Sequence, residues 1–194
     1  MSETGSVKFT CEQVATKLSR FAGFDQLNLY RRKLVDLGMV GVDANGIGFG
    51  NLSVRDGTSS RFYITSSGTG GIAKLTPADF SRVIAYDFAK NWLQCEGLRV
   101  ASSESLTHAA VYESDPTAGA VIHCHDVELW SELLEKVPAT PKTAEYGTSE
   151  MAYAVKRLFE TTDVKEKKSF VMSAHYGGLV TFGTDLAGAV EVLL

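Results

Sequence analysis

The stretch Ala118-Gly119-Ala120-Val121-Ile122-His123-Cys124-His125 organises the rest of this chain. It is apolar up to its last three residues, which is typical of a buried strand. Side chains two positions apart on a strand point to the same face, so His123 and His125 are expected to face one way and Cys124 the other. The chain contains only four histidines. A pair arranged in this way predicts a site for a metal ion.

Helical and strand-like segments alternate on both sides of this stretch. Thr10 with Gln13 resembles a capping box that opens a helix, and apolar residues recur at helical spacing from Leu27 to Leu37, before Gly38. Further helices are predicted at Thr76–Asp79 (one turn), Ser103–Tyr112, Val127–Leu134, Thr148–Leu158 and after a cap at Thr184 or Asp185. Strands are predicted at Asn51–Arg55, Arg61–Thr65, Val83–Asp87, Phe170–Met172 and Leu179–Phe182.

This order of elements predicts the fold class. Strands joined by tight turns and interleaved with helices favour an α/β (α+β) fold with three layers, α/β/α, around a central mixed, mostly antiparallel sheet. The sequence has no internal repeat and no linker, so residues 1–194 are expected to form a single domain.

The amino-acid composition indicates which class of molecule the protein binds. The chain has 194 residues, 44% hydrophobic and 22% charged, and a formal net charge of -4 with scattered basic residues. That balance argues against nucleic acid and a membrane surface, and favours a small molecule. Residues Met1–Ser6 show no secretory pattern, so a cytoplasmic location is expected. Three widely spaced cysteines, an odd number, fit reduced thiols better than a disulfide framework.

Three further segments carry groups that could bind an anion. Gly46–Ser53 and Thr65–Gly71 are rich in glycine and polar side chains, which let backbone amides approach a ligand closely. Both are equally compatible with ordinary turns, and the second lacks the spacing of a P-loop. Ser102-Ser103-Glu104 opens a predicted helix, where hydroxyls cap the helix and free N–H groups also suit a phosphate. His108, one turn later, is expected to be a packed helix residue.

Taken in order, these motifs resemble those of the class II aldolase/adducin family. They are Gly50-Asn51-Leu52-Ser53-Val54-Arg55, Ile64-Thr65-Ser66-Ser67-Gly68-Thr69, Ser102-Ser103-Glu104 with His108, and Ala120-Val121-Ile122-His123-Cys124-His125. The resemblance extends from about Leu29 to the C-terminus. The family includes fuculose-phosphate and rhamnulose-phosphate aldolases, ribulose-phosphate 4-epimerase and methylthioribulose-phosphate dehydratase.

The resemblance implies a role for each matching residue and a class II aldolase-like fold. Zn2+ is the implied cofactor, although histidine accepts other divalent metals. Glu104 resembles the catalytic acid/base, and a homotetramer with active sites between subunits is implied. The implied zinc ligands are His123, His125 and His175. The implied substrate- or phosphate-binding residues are Asn51, Ser67, Gly68, Ser102 and Ser103.

The chemistry of these residues suits a metal-dependent lyase or isomerase acting on a small sugar or sugar phosphate. Three neutral imidazoles leave an open coordination position, from which a metal stabilises an enediolate. Glu104 would move the proton, which requires its pKa to rise by about 2 to 3 units from ~4.3. Aldol cleavage is the expected reaction, with epimerisation and dehydration as alternatives. Tyr146 and Asp126 are candidate auxiliary proton donors, but a surface or packing role is favoured for each. Arg31 and Arg32 are expected to be solvated.

Two other functions stay open at this stage. The segment from Val127 to Glu145 is shorter than in the sugar-phosphate aldolases and contains no tyrosine to match their second catalytic residue. This favours a non-catalytic, adducin-like member that serves oligomeric assembly, whereas Glu104 together with the three histidines favours an enzyme. A cupin-like oxygenase also uses a His-x-His pair, but there the glutamate follows the pair, and here Glu104 precedes it.

Overall fold

A computed structural model describes residues 7–194 of the chain. The prediction made for Met1–Ser6 therefore lies outside the described residues. Within them, ten strands and six α-helices are present, with a short 3-10 helix at Pro77–Asp79. The strands are β1 (Thr10–Ala15), β2 (Gly41–Val42), β3 (Gly48–Phe49), β4 (Asn51–Arg55), β5 (Phe62–Thr65), β6 (Phe80–Asp87), β7 (Trp92–Gly97), β8 (Ala120–His125), β9 (Ser169–Val171) and β10 (Gly178–Gly183). The helices are α1 (Phe24–Asp36), α2 (Ser105–Ser114), α3 (Val127–Leu133), α4 (Ser149–Thr161), α5 (Val164–Lys167) and α6 (Leu186–Glu191).

Eight of these strands form one sheet in the order β1-β7-β6-β5-β4-β8-β10-β9, and β2 pairs with β3 in a separate hairpin. Every pair in the large sheet is antiparallel except β1 with β7, which is parallel. Strand β8 lies between β4 and β10, with Asn51 of β4 directly opposite His123. The predicted mixed, mostly antiparallel sheet is confirmed.

Apolar side chains on the two faces of the sheet form two clusters. Val121 belongs to the cluster that includes residues of α2 and α4, whereas Ile122 and Cys124 belong to the cluster that includes residues of α1 and α6. Burying side chains of this size stabilises the fold by about 1.5–3 kcal/mol each. Because side chains alternate along β8, His123 and His125 share the face of Val121. The prediction that Cys124 faces away from the two histidines is confirmed.

The first element differs from the prediction. Thr10 and Gln13 belong to a strand and do not open a helix, because β1 pairs in register with β7 from Trp92 to Gly97. The Gln13 side chain donates to the carbonyl oxygen of Gly97 at 2.9 Å, so it contributes to strand pairing instead of helix capping. Strand β7, the partner that makes this possible, was itself absent from the predicted elements.

The other predicted elements are present, with β6 beginning at Phe80 three residues before its predicted start, whereas β2, β3 and α5 were not predicted. Helix α1 ends before Gly38, which adopts a positive φ of 73°. Helix α6 has Asp185 as its cap, the second of the two predicted possibilities, with the carboxylate accepting from the amide of Gly188 at 2.8 Å. Among residues 7–194, no helix is long and apolar enough to cross a membrane.

Candidate active site

Three histidines converge where β8 ends and the turn before β10 begins. His123 and His125 come from β8, and His175 comes from the segment that joins β9 to β10. That segment turns tightly, because the amide of Gly178 donates to the carbonyl oxygen of His175 at 2.7 Å. A methyl group on Gly178 would lie 2.6 Å from Cδ2 of His175, so glycine is needed for this close approach. The turn therefore folds the third imidazole onto the other two.

The three imidazoles have the spacing of a metal-ligand set. Nε2 of His125 lies 3.2 Å from Nε2 of His123 and 2.8 Å from Nε2 of His175, and all three ligand atoms lie within 4.8 Å of one another. Ligands of a tetrahedral zinc ion, each at about 2.0–2.1 Å, are about 3.3 Å apart. The Nδ1–H of His123 donates to the carbonyl oxygen of Leu179 at 3.1 Å, which directs the lone pair of Nε2 toward the cluster. These residues fit a divalent cation.

All three imidazoles are held in the neutral form that binds a metal. Burial is the main cause, since it disfavours a charged ring. It lowers the pKa of His125 to about 4, that of His175 to about 3, and that of His123 well below its usual value. The neighbouring imidazoles lower the pKa of His123 and of His175 further. Protons therefore compete weakly for this site at neutral pH.

Glu104 is a buried carboxylate at the edge of the same cavity. It immediately precedes α2 and is 2% exposed. Thr107 Oγ1 donates to Glu104 Oε2 at 2.6 Å, whereas Oε1 is buried and has no hydrogen-bond partner among residues 7–194. Burial raises the pKa of Glu104 to about 7, against the smaller lowering effects of the Thr107 hydrogen bond and the charge of Lys8. Glu104 can therefore exchange a proton near neutral pH.

A cavity of about 370 Å³ joins the histidines to the predicted anion-binding residues. Its lining includes all nine predicted site residues, namely Asn51, Ser67, Gly68, Ser102, Ser103, Glu104, His123, His125 and His175. Asn51 reaches the cavity because it pairs with His123 across β4 and β8, and its buried Oδ1 has no partner in the part of the chain that the structure describes. The amide of Ser67 donates to the carbonyl oxygen of Val100 at 2.9 Å, which joins the Thr65–Gly71 loop to the segment before Ser102. Their roles as ligands stay predictions.

Arg31 corrects one sequence expectation, because it is buried and not solvated. It is 2% exposed, and its guanidinium donates to the carbonyl oxygens of Thr69, Gly70 and Ile72 at 2.9, 2.9 and 2.7 Å. Arg32 is exposed, as expected, and pairs with Asp36. Helical periodicity could have predicted the burial of Arg31, because position 31 lies on the same helix face as the buried positions 27 and 34. Arg31 therefore holds the loop that lines the anion-binding side.

The remaining candidates have distinct positions. His108 is fully buried, with Nδ1 2.7 Å from Ser53 Oγ, which agrees with the expected packed helix residue. Asp126 caps α3 by accepting from the amide of Leu129 at 2.9 Å. The ring of Tyr146 lines the cavity and lies against His175, with centroids 4.7 Å apart and planes at 64°. Thr107 was not predicted, although its position three residues after Glu104 on a helix is a readable signal.

A second cavity of about 510 Å³ adjoins the first. The two share Ile47, Phe49 and His125, so His125 is the one member of the histidine cluster that lines both cavities. The lining of the second cavity combines the apolar Phe49, Val127 and Tyr176 with carboxylates such as Glu128. A molecule bound in the first cavity therefore has further space beside His125.

Solved structures share this fold. An L-fuculose 1-phosphate aldolase superposes with a TM-score of 0.68 at 22% identity, covering 92% of this chain and 82% of that one. A sugar-phosphate aldolase from Thermotoga maritima gives 0.65 at 16% identity, covering 88% of each chain. A putative aldolase/epimerase/decarboxylase from Klebsiella pneumoniae gives 0.64 at 19% identity, covering 88% of this chain and 82% of that one. At these identities the likeness establishes the fold alone.

The sequence itself also matches a family profile. The class II aldolase and adducin N-terminal domain matches residues 32–194, which include the histidine cluster, Glu104 and the loops around them. The match leaves out β1 and most of α1. This chain therefore belongs to the class II aldolase and adducin family.

Proposed function

We propose that this protein is a divalent-metal-dependent lyase or isomerase for a small sugar or sugar phosphate, and that aldol cleavage is its reaction. One observation carries the proposal: a buried carboxylate with a raised pKa, Glu104, lines the same cavity as three neutral imidazoles. An adducin-like protein that serves only for assembly has no need to bury a carboxylate beside such a cluster, because burying an ionisable group costs stability.

The substrate would be oriented by the polar wall of the first cavity. Asn51, Ser67, Ser102 and Ser103 supply amide and hydroxyl groups there, and Gly68 leaves backbone accessible to a ligand. Such neutral donors bind a phosphate or the hydroxyl groups of a sugar. The second cavity provides space for the other fragment, so that the bond to be cleaved lies near His125.

His123, His125 and His175 would hold the cation, which we propose to be Zn2+ or another divalent metal. A bound divalent cation would supply Lewis-acid stabilisation of negative charge on substrate oxygens. Nδ1 of His123 keeps its hydrogen bond to Leu179, which fixes the ring orientation throughout.

Glu104 would transfer a proton to or from the reacting carbon of the substrate. Thr107 anchors Oε2, and the unpartnered Oε1 is the atom that we assign to proton transfer. With a pKa of about 7, the carboxyl group is half protonated near neutral pH, so it can both deliver and remove a proton. In cleavage, the C–C bond would break as the substrate hydroxyl group loses its proton to water in the cavity, which leaves an aldehyde and an enediolate. Glu104 would then deliver its proton to the enediolate carbon, and removal of that proton would start the reverse addition.

The test is turnover on a panel of ketose phosphates by protein loaded with Zn2+ or Co2+. We expect release of an aldehyde and a three-carbon ketone phosphate, loss of turnover on chelation, and a decrease of about 10²-fold or more in Glu104→Gln. Proton NMR of the same mixtures separates cleavage from epimerisation and dehydration. A metal-loaded protein that turns over no member of the panel contradicts the enzymatic proposal.

A second candidate function is adducin-like assembly without catalysis. The absence of a tyrosine between Val127 and Glu145 supports it, because the second acid/base of the sugar-phosphate aldolases has no counterpart there. Both functions are compatible with the homotetramer that we expect from the family. Turnover on the substrate panel therefore distinguishes them, with light scattering on wild type and Glu104→Gln as the measure of assembly: a stable assembly with no turnover in either protein favours the assembly function.

A further inference from the structure

Lys8 extends the candidate active site beyond the region that matches the family. It lies two residues before β1, whereas the family match begins at residue 32. Its ammonium lies 3.8 Å from the centroid of the Tyr146 ring and 2.5 Å from Glu145 Oε1, and its side chain is only 20% exposed. A lysine at the surface of a protein is usually mobile, so this arrangement immobilises a side chain at an entropic cost.

The backbone around Lys8 is fixed on the sheet. Nδ2 of Asn91, in the turn between β6 and β7, donates to the carbonyl oxygen of Lys8 at 3.1 Å, and the amide of Thr10 donates to the carbonyl oxygen of Asn91 at 2.9 Å. The Sγ atoms of Cys11 and Cys95 are 3.5 Å apart, which adds a contact between β1 and β7. Strand β1 therefore places Lys8 at a defined position beside Tyr146.

Tyr146 lies between Lys8 and the histidine cluster and contacts both. The tyrosine is 3% exposed, and its ring contacts both the ammonium of Lys8 and, edge-on, the imidazole of His175. A cation over an aromatic ring contributes about 0.5–2 kcal/mol, with the larger values in desolvated positions. The positive charge of Lys8 also lowers the pKa of Glu104 and of His175, so its direct electrostatic effect opposes a cation, and any gain in affinity has to come from the position of the Tyr146 ring.

We propose that Lys8 is a positioning residue for the metal centre, which holds the ring of Tyr146 against His175 and so sets the affinity of the three histidines for a divalent cation. The inference rests on the proposed function, because it requires the histidines to bind a metal. Outer-shell partners of metal ligands typically change metal affinity by 10- to 100-fold when they are replaced. In this chain the residue with that role, Lys8, comes from the segment that precedes β1, outside the matched family region.

The test is titration of chelator-treated protein with Co2+, followed by the visible absorption of the bound ion. Lys8→Met keeps most of the aliphatic length without the charge, and we expect it to bind Co2+ about tenfold more weakly than wild type. Lys8→Arg restores a cation over the ring, so we expect affinity within about threefold of wild type. Glu145→Gln breaks only an ion pair whose carboxylate is 57% exposed, and we expect affinity equal to that of wild type.

A double-mutant cycle separates positioning from general loss of structure. Tyr146→Leu should weaken Co2+ binding, and adding Lys8→Met to it should weaken binding no further, because both changes act through one ring. Additive losses, or Lys8→Met binding as tightly as wild type, would overturn the assignment while leaving the proposed function intact. Wild type that binds no Co2+ would overturn both. Thermal unfolding establishes that each variant is folded, and Tyr146→Leu provides the comparison if Lys8→Met does not fold.

Discussion

Nη2 of Arg31 donates to the carbonyl oxygen of Gly70 at 2.9 Å, which ties the buried face of α1 to the loop that lines the candidate active site. The same guanidinium also reaches Thr69 and Ile72. A planar group with five donors satisfies several carbonyls at once, and lysine offers no such fork. Arg31 on α1 therefore stabilises the conformation of this loop.

Arg31→Met should lower both stability and substrate affinity. One buried and two partly buried carbonyl groups lose their partner, which costs about 3 kcal/mol in the free energy of unfolding. Because the loop then becomes mobile, we expect KM to rise by about tenfold while kcat changes little. Urea unfolding and steady-state kinetics measure the two effects. Arg32→Met is the matched control, since its side chain is exposed on the same helix, and equal losses in the two variants would contradict this role.

Gly70→Ala should also disturb this loop, through a steric clash. The added methyl carbon would lie 2.2 Å from the carbonyl oxygen of Gly41, a backbone atom that cannot turn away. We expect a loss of about 1–3 kcal/mol, as for other overpacked positions. Gly71→Ala is the control, because its methyl group would meet only the Val42 side chain, at 3.6 Å. Unfolding in urea compares them, and a Gly70→Ala protein as stable as Gly71→Ala would refute the close approach.

The sequence predicted those features of the fold that depend only on neighbouring residues in the chain. The alternation along β8 was sufficient to place Cys124 opposite the two histidines, because side-chain direction on a strand depends only on position. The same holds for α1, whose end is determined by Gly38. The convergence of His175 with the pair depends on a turn folded around Gly178, so motif resemblance indicated it and spacing alone did not.

Pairing between distant segments was not predictable from the chain. Thr10 and Gln13 match a helix cap locally, but β1 obtains its hydrogen bonds from β7, about eighty residues later. Lys8 depends on that pairing, so no local signal marks it as part of the site. That residues 1–194 form a single domain, and that the nine site residues bind metal and substrate, stay predictions.

His125→Ala should strongly weaken metal binding. Nε2 of His125 lies between the ring nitrogens of the other two histidines, so its loss separates the remaining ligands. We expect Co2+ affinity to fall by about 100-fold or more. His108→Gln is the control, since that histidine is bonded to Ser53 and is absent from the cluster. Loss of binding in His108→Gln alone would place the metal elsewhere.

Glu104 should make the stability of the chelator-treated protein depend on pH. Its pKa is raised from 4.5 to about 7 by burial, so the folded state holds a proton that the unfolded state has already lost between those values. The stabilisation is fully present below pH 4.5 and is lost as the pH rises through 7. The raised pKa corresponds to about 3 kcal/mol.

Glu104→Gln removes that titration, because the amide keeps the shape of the carboxyl group without ionising. We therefore expect wild type to lose about 3 kcal/mol more than Glu104→Gln between pH 4.5 and pH 8 in the free energy of unfolding. Urea unfolding across this range measures the difference, and groups common to both proteins cancel. If the free energy of unfolding of the two proteins changed equally with pH, the pKa of Glu104 in the folded state would be the same as in water. In that case the carboxylate would be fully ionised at neutral pH, and delivery of a proton from it could not complete the cleavage step.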